Sequence, residues 1–147
     1  MATIREDYVS FETAKLLKKK GFEGYSILTI YDEEAANTYI KELKEKHLPY
    51  SSDDPKLKEF YYTQPTLQMA MKWLREVHHI EISITFGFPF INGKEQYKYF
   101  WSIVKVCNNH LEYSLNNPNN TTYNEEIADS YEQACEEAIK YCLENLI

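Results

Sequence analysis

Pro65-Thr-Leu-Gln-Met-Ala-Met-Lys-Trp-Leu-Arg-Glu-Val-His-His-Ile-Glu-Ile-Ser-Ile-Thr-Phe86 is the stretch whose reading decides the fold. Its apolar period changes half-way. Leu67, Ala70, Met71, Leu74 and Val77 recur at three- and four-residue spacing, and Trp73 widens the stripe. That predicts an amphipathic helix from Pro65 or Thr66 to His78. Proline suits the first helical position, where its missing N–H has no intrahelical partner. Ile80, Ile82, Ile84, Phe86 and Phe88 then alternate with Glu81, Ser83 and Thr85, the period-two pattern of a strand with one buried face.

Downstream, Ile91-Asn-Gly-Lys94 signals a tight hairpin, because Asn-Gly accepts the positive φ angles of a type I′ turn. The return strand is expected over Gln96 to Cys107. Asn108-Asn109 then turns into a third strand, His110 to Leu115, with Leu111, Tyr113 and Leu115 on one side. A polar loop follows over 116–124. The last helix starts at Ser130, where Gln133 completes a capping box. Its stripe is Tyr131, Ala134, Cys135, Ala138, Ile139, Cys142 and Leu146.

Upstream, a first helix is expected from the N-cap Ser10 to Lys20. Gly21 falls where a left-handed residue belongs, and Phe22 is placed to pack on Leu17. Lys18 to Lys20 fill the last turn, where positive charge complements the helix dipole. Tyr25 to Tyr31 reads as a strand, and Asp32 caps a thinly apolar surface helix over Glu33 to His47. Glu59 to Thr63 is a short strand expected to pair with Tyr25–Tyr31. Strands joined by tight turns are antiparallel, and helices with one apolar stripe cover a sheet's apolar face. The expectation is one α+β domain over 1–147. It would hold an antiparallel sheet of about four to five strands, with about three to four helices mainly on one face.

Composition narrows the function classes. Net charge is −7, which disfavours direct binding to nucleic acid or to an anionic membrane. No run approaches the length of a membrane span. The N-terminus shows no apolar signal core, and three cysteines at wide spacing make no disulfide framework, so a reduced, cytoplasmic protein is expected. Asn119 and Asn120 match glycosylation triplets only by coincidence in that setting.

His78 and His79 sit at a helix end, where they cap free carbonyls. Cys107-Asn-Asn-His110 has metal-clamp spacing, but no second matched pair supplies the four ligands of a structural zinc site. Cys135 and Cys142 fall on an apolar stripe, where cysteine behaves as a small hydrophobe. No nucleophile elbow or phosphate loop is present among four glycines. No catalytic, metal or cofactor-binding residue is therefore named, and no cofactor is expected.

The remaining lead is aromatic. The chain holds 13 tyrosines, and aromatics reach 15%. Tyr97, Tyr99 and Trp101 share one face of the return strand, and Phe100, Val104 and Val106 share the other, which is the expected core face. Left uncovered, Tyr97, Tyr99 and Trp101 would form an interaction surface rich in hot-spot residue types. The favoured alternative is that they stack on neighbours such as Phe86 or Tyr113, or lie beneath a helix.

Three segments together, Tyr8-Val-Ser-Phe-Glu-Thr-Ala-Lys-Leu-Leu17, Pro65 to Val77 and Tyr131 to Ile147, resemble a set of small uncharacterised proteins of gut Bacteroidetes genomes and their phage-like or mobile regions. The resemblance implies an accessory role in a mobile element and assigns no activity or site residue. The leading expectation is a non-enzymatic protein-interaction domain that binds another protein or itself. Two alternatives stand beside it: an acidic decoy of a nucleic-acid-binding protein, and a small enzyme with a pocket at a sheet edge.

Overall fold

A computed structural model describes residues 7–24, 26, 28–116 and 127–147, with backbone alone at 113, 115 and 116. Tyr25, Ile27 and the expected loop beyond Asn116, with Asn119 and Asn120, lie outside the described residues, as do the side chains of Tyr113 and Leu115.

The helices form where capping chemistry permits. In α1 (Phe11–Lys19), the Ser10 hydroxyl accepts the Thr13 N–H. At its end Gly21 takes φ +85°, the Phe22 N–H reaches Leu17 O at 2.9 Å and the Gly21 N–H reaches Lys18 O at 3.1 Å. That is a Schellman stop. Asp32 caps α2 (Glu33–Glu45), which buries only Ala36. Thr66 caps α3 (Leu67–His78), so Pro65 lies before the cap and is fully buried. Ser130 caps α4 (Tyr131–Asn145), whose Gln133 reaches back to the Asp129 N–H. A 3-10 helix, Pro55–Phe60, completes the set.

Among the described residues the strands divide into three small antiparallel sheets, where one larger sheet was expected. β1 (Thr29–Tyr31) pairs with β2 (Tyr61–Thr63), as the tyrosine-rich segments suggested. β3 (Ile80–Gly87), β6 (Lys98–Cys107) and β7 (His110–Asn116) form the largest sheet, in the order β3-β6-β7. Between β3 and β6 lies the hairpin tip, β4 (Phe90–Ile91) paired with β5 (Lys94–Glu95). Proline explains the interruption: Pro89 has no N–H to continue the ladder, although its carbonyl still accepts the Gln96 N–H at 3.0 Å. β2 packs on α1, and the β1-β2 pair stays apart from the main sheet.

α3 and α4 cover one face of the β3-β6-β7 sheet, and α1 lies across α4. The expected cover of about three to four helices thus reduces to two in direct contact, because α2 packs on the 3-10 helix. The core is built from Leu17, Leu74, Ile80, Ile103, Ile139 and Leu143, all fully buried. Val77 departs from the expected stripe and is exposed.

Two lysines of the triplet are used internally. Lys18 Nζ donates to the carbonyls of Glu59 and Tyr61, and Lys20 Nζ to that of Ile147. These bonds anchor the end of α1 to the start of β2 and to the C-terminal residue.

Candidate functional site

One register runs through the whole hairpin. Counting outward from Asn92 and Gly93, each residue before the turn faces the residue equally far after it, from Ile91↔Lys94 to Ile80↔Lys105. Asn92 and Gly93 take φ +51° and +76°, as a type I′ turn requires. This register puts Ile84 opposite Trp101 and Ile82 opposite Ile103. The helix-covered face therefore carries the isoleucines of β3 and the odd-numbered residues of β6.

That reverses the expected core face of β6. Trp101 and Ile103 are buried, while Phe100 and Val104 are half-buried on the opposite face and Val106 is exposed. The isoleucines decide it: the face of β6 that pairs with Ile80, Ile82 and Ile84 goes under the helices with them. The required signal was in the sequence, since Asn92-Gly93 alone fixes the pairing by hairpin geometry.

Tyr97, Tyr99 and Trp101 consequently end in three environments. Trp101 is 5% exposed and lies beneath α4, its ring centroid 5.5 Å from that of Tyr141. Tyr99 is half-buried. Its phenol is pushed up by hydrogen bonding with Tyr97 and then by burial. Tyr97 is 46% exposed.

Three phenylalanines absent from the expected surface extend it. Phe86, Phe88 and Phe90 are each more than 60% exposed, although they continue the alternation of Ile80, Ile82 and Ile84. The Tyr97 ring stacks on Phe86 at 5.3 Å and meets Phe88 edge-on at 5.1 Å and Tyr99 edge-on at 5.3 Å. Tyr131, at the start of α4, lies 6.3 Å from Tyr99 and accepts a hydrogen bond from Gln68. One apolar stripe thus starts under the helices as isoleucine and emerges from them as aromatic rings. Edge-to-face and offset-stacked rings of this kind attract one another beyond the area they bury.

The groups weighed for chemistry are dispersed. His79 ends α3 in the left-handed region and its backbone N–H bonds Leu74 O. His78 packs edge-on against Trp73 at 4.5 Å. Burial, then the nearby Lys105 and His79 charges, push its imidazole down. Its Nε2 is buried without a hydrogen-bond partner among the described residues, so its ring is packed rather than capping a carbonyl. Cys107 and His110 face each other across the Asn108-Asn109 turn, both exposed. Among the described residues no group of three or more His, Cys, Asp or Glu is placed to hold a metal ion.

Among the described residues, concavities flank the helices. One of about 600 Å³ is lined by Glu33, Glu34, Asn37, Thr38 and Lys41, all of α2. One of about 350 Å³ lies around the Lys15–Asp32 ion pair, and one of about 320 Å³ lies between α1 and α4. None of these three is lined by a strand residue. No helix among the described residues is long and apolar enough to cross a membrane. No protein-family model matches this chain, and no curated protein or solved structure matches it either.

Proposed function

We propose that this protein is a non-enzymatic binding domain whose contact surface is the outer half of the Ile80–Lys105 hairpin. One observation carries the reading: Phe86, Phe88 and Tyr97 continue the core stripe but stand open to solvent. Contiguous exposed aromatic surface on a soluble fold marks interaction sites. Tyrosine and phenylalanine are also enriched at interfaces, and tyrosine among hot spots. The surface reaches from the sheet to Tyr131 on α4, so a partner would touch two rigid elements. An accessory role of this kind is what the sequence resemblance implies.

The decoy reading receives less support. The acidic helix α2 opens on Glu33 and Glu34 but alternates Lys41 and Lys44 with Glu42 and Glu45 in its second half, so its acidic side chains form no unbroken stripe.

Quantitative affinity capture tests the proposal with Phe88→Ser/Tyr97→Ser against the wild type, folding being verified by circular dichroism. A partner lost with this variant, but kept by the control Glu33→Lys/Glu34→Lys, is the expected result. Identical captured sets for both variants, or neither specific capture nor self-association by any form, would end the reading.

A further inference from the structure

We infer that the binding surface serves a second copy of this chain, through antiparallel pairing of the open edge of β3 with itself. This inference rests on the binding-domain reading and names its partner.

The edge is defined by hydrogen-bond direction. The Tyr99 N–H turns away from β3 and donates to Ala128 O at 3.0 Å. At the other end of the ladder, Val106 N–H donates to His79 O at 3.1 Å. In an antiparallel pair, inward and outward bonding alternate along each strand. Both bonds give the same answer: Glu81, Ser83, Thr85 and Gly87 bond to β6. Ile82, Ile84 and Phe86 aim their N–H and C=O groups out of the sheet. Among the described residues no backbone or side-chain group bonds them.

Sheets usually guard such an edge with lysine, proline or a bulge. β3 has none of these. Its register with β6 is unbroken from Ile80 to Gly87. Its one charge, Glu81, is turned to Arg75 at 3.6 Å. Ser83, Thr85 and Phe86 are exposed, so the outer part of the edge is reachable.

β3 is also complementary to itself. With the two-fold axis at Ile84, Ile84 pairs with the partner's Ile84, and Ile82 with the partner's Phe86. Ser83 faces the partner's Thr85. Glu81 faces the partner's Gly87, so no like charges meet. The exposed rings of Phe86 and Phe88 then lie beside the partner's Ile82 and Ile80, at the end of the partner's α3. A closed isologous pair of this kind joins two three-stranded sheets into one continuous sheet. It sets Phe86 and Phe88 beside the partner's isoleucines, at the margin of the partner's helical layer. A heterologous strand could use the edge hydrogen bonds, but it would not by itself account for the isoleucine–phenylalanine match across this axis.

Light scattering after size exclusion, with circular dichroism as the folding control, tests the inference. The wild type is expected to be a dimer. Ser83→Lys/Thr85→Lys places lysine opposite lysine and should give a folded monomer. Ser83→Lys/Thr85→Glu places lysine opposite glutamate and should restore the dimer. A dimer that persists in the double-lysine variant would refute the edge pairing. A wild-type monomer would also refute it. In that case, capture of a partner that depends on Phe88 and Tyr97 would leave the binding-domain reading standing, and absence of such capture would remove both.

Discussion

The Thr13 hydroxyl, fully buried, donates to Glu136 Oε1 at 2.5 Å, and the same oxygen accepts the Ser10 N–H at 3.1 Å. A carboxylate on α4 thus completes the N-terminal cap of α1. Ser10 had to leave some N–H groups of the first turn unpaired, and here its own N–H is satisfied from another element. Glu136→Ala should cost about 1–3 kcal/mol, the range for stranding a buried donor. Adding Thr13→Val should recover part of the loss, because the stranded hydroxyl is then gone. Urea unfolding of the double-mutant cycle measures this coupling, and strictly additive losses would show that the two groups act independently.

Lys15 and Asp32 meet at 2.5 Å, tying α1 to the N-terminus of α2. The Lys15 ammonium, and then the Ala35 N–H, hold the Asp32 carboxyl below its ordinary range. The hydrogen bond to Asp32 correspondingly raises Lys15. A depressed carboxyl contributes stability that is complete above its unfolded value and lost as pH falls through its folded value. The raised lysine contributes below its unfolded value and loses that contribution as pH rises through the folded one. Asp32→Asn should therefore flatten both the acid and the alkaline limbs of a stability–pH profile. Limbs unchanged from the wild type would show that the pair has no such role.

Burial pushes the Cys135 thiol up to about 11 and the Cys142 thiol up to about 12. The thiolate is the reactive form, so both are inert in the folded state, whereas Cys107 is exposed. Thiol titration at neutral pH should label one cysteine of three in the native protein and all three in denaturant. Rapid native labelling of Cys142 would contradict the packing of α4.

Trp101 and Tyr97 share a strand face but differ in cover, so truncation separates them. Trp101→Ala should cost about 3–5 kcal/mol, the range for emptying a buried aromatic site. Trp101→Phe should cost much less, since it removes an indole N–H that has no partner among the described residues. Tyr97→Ala should stay within about 1 kcal/mol, as for most exposed positions. Equal losses for Trp101→Ala and Tyr97→Ala would place the edge of the helical cover wrongly.

Much of the architecture was legible because it is local. Ser10, Asp32 and Ser130 cap as their side chains allow, Gly21 stops α1, and Asn92-Gly93 turns the hairpin. The number of strands in one sheet was not legible. It depends on where β1 and β2 dock, and on the break at Pro89, which are outcomes of packing rather than of pattern. The core face of β6 differs from the expected one because that strand is apolar on both sides, so its own composition is ambiguous. Its partner strand, with polar residues on one side only, carries the decision through the register.

By itself the chain determined its helices, their caps, the alternation of β3 and the turn that joins β3 to β6, since each depends on neighbours a few residues apart. Only the tertiary structure decided where the helices stop covering the sheet. That boundary falls between Ile84 and Phe86, and it depends on how far α3 and α4 reach across strands distant in sequence. It is what makes one end of a continuous apolar stripe a core and the other end a surface.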